Sequence, residues 1–406
     1  MDFLTKEQKC LLDILSVSLF DSGKKTDFND INLKLLWNEA YIQTVGLLAF
    51  SGSVPGGCDS EYLAYIRKKL NELLTTAINV NKAHVSLHKL MTGEKIPFVI
   101  IKGCASAVFY KDPLLRSMGD VDFLVDEKYF QKAQSVLEKA GFVKSKSDHL
   151  CHVVYKKNGV RYEMHSEVAG IPSGSQGSNV RALFDDVFEK VRDTETPFGA
   201  MRLPSEYHHG IILLLHTAHH LTGEGVGIRH LCDWATFVSG FSQNEFCEMF
   251  EKDLKKIGLW KFAKLITAIS GEYLSCPVDW FNSDINDELK KEIVRDIFKS
   301  GNLGQKSPDR SHEGLLIGGN GRYKAENVSM LKQFISSANN IVYNNWRISR
   351  KLKFLRPLGW VFFGVRYIIR SFFGKRPAIR PKTIIMEASS RKNLYKKIEL
   401  FTEEYF

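Results

Sequence analysis

Two aspartates, Asp120 and Asp122, open the run Asp-Val-Asp-Phe-Leu-Val at residues 120–125. Side chains alternate along an extended strand, so both carboxylates share one face while Val121, Phe123 and Val125 share the other. Neither Lys nor Arg lies within the strand itself, which sets ion pairing aside as the reason for the pair. Neighbouring carboxylates raise each other's pKa unless a cation sits between them, and a hard divalent ion does that best. The pattern therefore asks for Mg²⁺. Upstream, apolar Val99-Ile100-Ile101 runs into Lys102-Gly103 and then Cys104 to Tyr110, a short helix by its composition. A strand feeding a glycine turn and a helix N-terminus makes an anion site, because free backbone N–H groups and the positive end of the helix dipole meet there. Lys102 adds a full charge. A phosphate-binding turn followed by a metal-binding carboxylate pair describes an enzyme that handles a nucleoside triphosphate.

The elements that must hold these groups follow from the rest of the chain. Residues 1–92 carry apolar residues at three- and four-residue spacings over Glu7 to Leu19, Asn32 to Phe50 and Glu61 to Met91, and read as a helical region flanking a sheet. On the last of these helices His84 and His88 stand one turn apart, read as part of a solvated face. After the Asp-x-Asp strand, Glu127 to Ala140 reads as a helix closed by Gly141. Two strands, Cys151 to Lys156 and Val160 to Val168, join through Lys157-Asn158-Gly159, a tight hairpin signal. On the second, Arg161, Glu163, His165 and Glu167 share one face.

This constellation resembles the DNA polymerase β-like nucleotidyltransferase superfamily, with its glycine turn, helix, Asp-x-Asp strand and third carboxylate on a later strand. It is most similar to a branch of largely uncharacterised bacterial nucleotidyltransferases, which Lys102, Gly103, Tyr110, Arg116, Asp120 and Asp122 match in turn. Two departures from the wider superfamily are the Lys-Gly-Cys turn in place of Gly-Ser and a longer gap from Gly103 to Asp120. The resemblance implies that Asp120 and Asp122 bridge two Mg²⁺ ions. Glu163 within Glu163-Met164-His165 supplies the third carboxylate, with Glu167 its rival. Lys102 and the Gly103 turn hold the β and γ phosphates, Arg116 stabilises charge near the carboxylates, and His165 orients the acceptor or bonds to Glu163. The histidine-rich stretch is also similar to the branch, at His216, His219, His220, Gly227, Ile228, Arg229 and Asp233. That implies a helix facing the cleft, with Arg229 reaching phosphate or pairing with Asp233.

Ala169 to Asn179, rich in Gly and Ser, reads as a loop beside the site, a lid or a plain surface connection. Helices are expected from about Ser205 onward, including Asn244 to Ile257, Leu259 to Ser270 and Asp287 to Ser300, with a turn at Gly301 to Gly304 and a loop at Gly314 to Gly321. His216 and His220, one turn apart, have the spacing of metal ligands but no H-E-x-x-H glutamate between them.

At 406 residues the chain is long enough for two or three cores. Its 44% hydrophobic and 25% charged content is that of a globular protein. The seven cysteines show no C-x-x-C or zinc spacing and read as reduced thiols of a cytoplasmic protein. The net charge of +10 is concentrated in the tail, where residues 341–406 hold fifteen Lys and Arg against four Asp and Glu. No apolar run reaches membrane-spanning length, the best stopping at Arg366. The interleaved basic and aromatic residues there either cover the core or lie on an anionic membrane surface, and no specific nucleic-acid readout is expected.

The expected fold is α+β, a small mixed-sheet nucleotidyltransferase core between helical flanks. Its divisions are 1–92 helical, 93–200 catalytic, 201–300 helical, and 301–406 loop-rich and then basic, aromatic and helical. The expected activity is Mg²⁺-dependent transfer of an NMP group from an NTP, ATP foremost, to a hydroxyl-type acceptor with release of pyrophosphate. Rivals are a catalytically silent nucleotide-binding or regulatory protein, a toxin–antitoxin or defence component that modifies RNA or protein, and a membrane-surface enzyme of envelope or polysaccharide synthesis.

Overall fold

A computed structural model describes residues 3–24, 26–52, 59–145, 152–172, 175–307, 309–317, 329–346, 348–373 and 381–402. The N-terminal helices begin where capping residues stand. Thr5 and Gln8 form a reciprocal capping box ahead of α1 (Lys6–Phe20), and Asn32 caps α2 (Leu33–Ile42). After the short α3 (Gly46–Phe50), Asp59 caps α4 (Ser60–Gly93), whose 34 residues span about 51 Å.

The chain then enters a five-stranded sheet. β1 (Phe98–Ile101) turns through Lys102 into α5 (Gly103–Ala107), and β2 (Asp120–Val125) returns antiparallel to β1. A 3₁₀ turn and α6 (Phe130–Lys139) lead to Gly141, left-handed at φ +84°, then β3 (Val143–Lys144). β4 (His152–Lys157) and β5 (Val160–His165) form the expected hairpin, with Asn158 and Gly159 at φ +50° and +78°, the left-handed pair such a two-residue turn requires. The strand order is β1-β2-β5-β4-β3, and β5 runs parallel to β2 inside an otherwise antiparallel sheet. The architecture is α+β with helical N- and C-terminal regions.

Both faces of this sheet are covered. Phe98, Ile100, Val121, Phe123, Val125, Tyr162 and Met164 pack with Val80, Leu87 and Met91 of α4 and Ala133 and Leu137 of α6. Val99, Ile101 and Leu124 face the other way, into a larger helical core. To it α1, α2 and α3 contribute together with α7 (Ser175–Ala182), α8 (Glu206–Thr222), α9 (Ile228–Val238), α10 (Gln243–Ile257), α11 (Trp260–Leu274) and α12 (Asp287–Ser300). Between α7 and α8 lies a second antiparallel pair, β6 (Val191–Thr196) and β7 (Gly199–Pro204), which the sequence reading missed. α13 (Arg310–Ile317), α14 (Met330–Asn345), α15 (Ile348–Lys351), α16 (Arg356–Phe372) and α17 (Pro381–Ile398) follow.

Several expectations change. Part of the Gly/Ser-rich stretch forms α7, because Val180 offers an apolar anchor that is fully buried. Gly314 lies inside α13 rather than in a loop, and residues 318–321 of that expected loop are outside the described residues. His84 is buried rather than solvated, since it lies on the same stripe of α4 as Ala77, Val80, Leu87 and Met91. The tail divides, α17 burying Ala388, Tyr395 and Ile398 in the helical core while α16 leaves most of its apolar residues outward. α16 turns Phe363 and Tyr367 toward the protein and Leu358, Val361, Phe362, Val365, Ile368, Ile369 and Phe372 outward. At 3.6 residues per turn these seven lie within about 60° of Val365. No helix among the described residues is long and apolar enough to cross a membrane.

Candidate active site

The parallel pairing of β2 with β5 brings the acidic groups together. Asp122 stands opposite Glu163 and Asp120 opposite Arg161, so Asp120, Asp122, Arg161, Glu163 and His165 all lie on one face. Ligand atoms of Asp122, Glu163 and His165 lie within 4.8 Å of one another. Asp122 is 6% exposed, and its Oδ1 accepts from Lys102 Nζ and from His165 Nε2, each at 2.8 Å. His165 Nε2 is also 3.6 Å from Glu163 Oε2. Glu163 accepts from Arg161 Nε at 2.8 Å. Ion pairing therefore does reach the carboxylates, contrary to the sequence argument. Lys102 arrives from the turn after β1, where β1–β2 register sets Ile101 against Asp122, and Arg161 arrives from the neighbouring position of β5.

The electrostatics divide the two aspartates. Burial pushes Asp122 up, but the Lys102 ammonium and the His165 hydrogen bond override it and hold the carboxyl below the usual range. Asp120 goes the other way. Burial, then Asp122, then Glu163 push it up to about 6, against weaker help from Lys102 and Arg229. Burial works against the charge on Lys102, yet Asp122, with Glu163 and Asp120 behind it, keeps the ammonium above its ordinary value. A carboxyl held up by like charges, beside an oxygen-rich donor set with one imidazole, fits a hard divalent cation. Asp122, Glu163 and His165, whose ligand atoms converge, would hold it, with Asp120 on the same face beside them.

The turn that carries Lys102 is strained. Lys102 sits at φ +56°, ψ −119°, a conformation glycine adopts at no steric cost and an L-residue at about 1–3 kcal/mol. The glycine of the turn, Gly103, has no such requirement. A Cβ there would meet His84 at an ordinary 3.7 Å. His84 lies beneath this turn. Its Nδ1 donates to Val80 O at 2.8 Å, which leaves Nε2 buried and unpartnered, and burial lowers its pKa to about 4. The stripe position of His84 was the signal for this contact.

α9 is tied to the segment between α5 and β2. Arg116, expected near the carboxylates, instead makes a bidentate pair with Asp233, Nε to Oδ1 at 3.0 Å and Nη2 to Oδ2 at 2.7 Å. Tyr110 Oη donates to the same Oδ1 at 2.7 Å. So the partner of Asp233 is Arg116, and Arg229 is left without a carboxylate among the described residues. Arg229 donates from Nη1 to Ser117 O at 3.4 Å, its Nε is buried and unpartnered, and Asp120 lies near enough to act on its charge. Burial, then Arg116, hold Arg229 below the usual guanidinium range. Glu167, the rival third carboxylate, is paired with Arg181 of α7. His216, His219 and His220 of α8 lie close enough for Lys102 to act on each, and burial keeps all three well toward the neutral form.

The family described as "Uncharacterised nucleotidyltransferase" matches residues 48–275, from the end of α3 through α11. The match takes in every site residue described above. Among curated proteins, no relative matches.

Proposed function

The chain belongs to this uncharacterised nucleotidyltransferase family, and from that premise we propose that it is an Mg²⁺-dependent enzyme of the polymerase β-like type. It transfers a nucleoside monophosphate from an NTP, ATP foremost, to a hydroxyl-type acceptor and releases pyrophosphate. The single observation that carries this reading is the meeting of Asp122 and Glu163 across the β2–β5 register, with Asp120 on the same face. When bound, Mg²⁺ supplies charge neutralisation at the attacking and leaving oxygens. The chain's own groups do the rest. Asp120, Asp122 and Glu163 hold the cations and Arg229 meets phosphate. His165 steadies Asp122 through its Nε2–H and orients the acceptor.

Lys102 and Arg161 pair with the carboxylates that would hold the cations. We infer that metal enters together with the nucleotide, as Lys102 leaves Asp122 for the β and γ phosphates. Mn²⁺ titrated by electron paramagnetic resonance should bind weakly alone and tightly with a non-hydrolysable NTP. Equal affinity in both cases contradicts the exchange.

The decisive experiment incubates the full chain with each α-labelled NTP, Mg²⁺ and cell extract. Label on a small molecule or sugar supports the main reading, whereas label on RNA or a polypeptide moves it to a defence or toxin–antitoxin role. Tight Mg–NTP binding with no transfer to anything leaves a nucleotide-binding regulator.

The outward stripe of α16 supports a place for the activity. Seven large apolar residues flanked by Arg366 and Arg370, with Lys351 and Lys353 just upstream, complement an anionic membrane surface. The full chain should float with vesicles containing phosphatidylserine and not with neutral ones, and Val361→Glu with Val365→Glu should abolish flotation. No flotation together with a dimer broken by the same substitutions assigns the stripe to a second copy.

A further inference from the structure

α8 and α9 place three imidazoles around one point. His216 and His220 are one turn apart and project from the same side of α8, and His230 enters from the first turn of α9 after the chain reverses through Gly223 to Gly227. Ring centres are 4.4 Å apart for His216 and His220, 5.4 Å for His216 and His230, and 5.5 Å for His220 and His230. Each residue has a ring nitrogen within 4.8 Å of one on the other two. Three imidazoles bound about 2.0–2.1 Å from a tetrahedral ion have ring centres about 5 Å apart, so the rings already stand at coordination spacing.

The nitrogens are prepared as well as the rings. His230 Nδ1 donates to Gly227 O at 3.3 Å, which selects the tautomer and leaves Nε2 with a free lone pair. That Nε2 is buried without a partner, as is Nδ1 of His216. A backbone carbonyl on one imidazole nitrogen and a bare second nitrogen is the arrangement of metal-binding histidines. Buried unpartnered nitrogens also occur on His84 and His209, so the convergence of three rings is what sets this cluster apart.

We propose that His216, His220 and His230 bind one divalent transition-metal ion of the zinc class, distinct from the Mg²⁺ at the carboxylates. Neutral imidazoles select such an ion over Mg²⁺, which prefers oxygen. Three protein ligands leave a fourth position for water or an anionic oxygen, as in catalytic rather than closed structural zinc sites. Lys102 lies near enough for its charge to reach His216 and His220. The site stands on the histidine geometry alone and does not rest on the nucleotidyl-transfer reading.

The test uses the full chain stripped with chelator and titrated with Zn²⁺ and, for its visible absorption, Co²⁺. One ion per chain should be retained through gel filtration, and Co²⁺ should give the intense visible bands of a tetrahedral site. His216→Gln and His230→Gln should each weaken binding by at least about a hundredfold, while Asp122→Asn leaves it unchanged. Substoichiometric metal, or an ion kept by both histidine variants and lost by Asp122→Asn, overturns the proposal. If a histidine variant does not fold, the imidazole ¹⁵N shifts of the parent chain decide. Zn²⁺-dependent shifts confined to three rings support the site, and unmoved shifts overturn it.

Discussion

Two buried aspartates stand in opposite conditions. Asp233 is saturated, with both oxygens in the fork of Arg116 and Tyr110 adding a third bond. Burial opposes its charge, but Arg116 holds the carboxyl below the usual range. Asp122 has a comparable burial and two donors, yet both converge on Oδ1, and among the described residues none reaches Oδ2. A planar guanidinium matches a carboxylate on both oxygens, whereas an ammonium is a point charge on a flexible stem. The first pair fixes α9 to the segment after α5. The second is built so that one partner can leave.

The largest effect expected from breaking this contrast falls on chemistry. Asp122→Asn should lower NMP transfer by at least about a thousandfold, since metal-borne charge stabilisation contributes several kcal/mol, and should lower the urea midpoint only modestly, because Glu163 and Asp120 still act on the Lys102 ammonium. Asp233→Ala should do the reverse. It leaves the buried Arg116 charge uncompensated, a loss of about 3–5 kcal/mol in chemical denaturation. Replacing the whole group with Arg116→Met, Asp233→Leu and Tyr110→Phe should recover most of that stability, because the penalty belongs to the orphan charge.

Next in size is a pH effect at Asp120. Its folded-state pKa, about 6, lies above the unfolded value. The stabilisation is therefore full below about pH 4, the unfolded aspartate value, and is lost as pH rises through about 6, a change on the order of 3 kcal/mol. Urea unfolding of the metal-free chain should show this slope, and Asp120→Asn should flatten it. The smallest effect is at Arg229. Arg229→Gln should raise KM for NTP about tenfold with a lesser change in kcat, the signature of binding lost equally in ground and transition states. A fall in kcat alone would move Arg229 from phosphate binding to the transition state.

Local pattern carried much of this site. Strand alternation put Asp120 with Asp122 and Glu163 with His165, and Asn158-Gly159 marked the hairpin that aligns β4 with β5. The parallel neighbour relation of β2 and β5 is tertiary, and only it sets Asp122 against Glu163. Lys102 was legible as a charge beside the site, but not as the partner of Asp122, because that contact depends on the β1–β2 register and not on the residues of the strand itself. The Arg116–Asp233 bond joins residues 117 positions apart, and no spacing rule reaches that far. The β6–β7 hairpin was missed because charged and polar Arg192-Asp193-Thr194-Glu195 hides the buried Met201 and Leu203 of its partner strand. In α16 the hydrophobic stripe was present in the sequence, but which side of the helix meets the protein depends on α14, where Gly359 packs against Val342 and Trp346.

The backbone at Lys102 has one more consequence. A lysine held where glycine would be at ease sets two selective pressures against each other at a single codon. Lys102→Gly relaxes the main chain but strips buried Asp122 of the ammonium that holds it charged, so a screen that rewards only heat resistance would favour it together with a neutral residue at 122 and accumulate robust, silent protein. Directed evolution of this chain for durability therefore needs a turnover criterion in the same round.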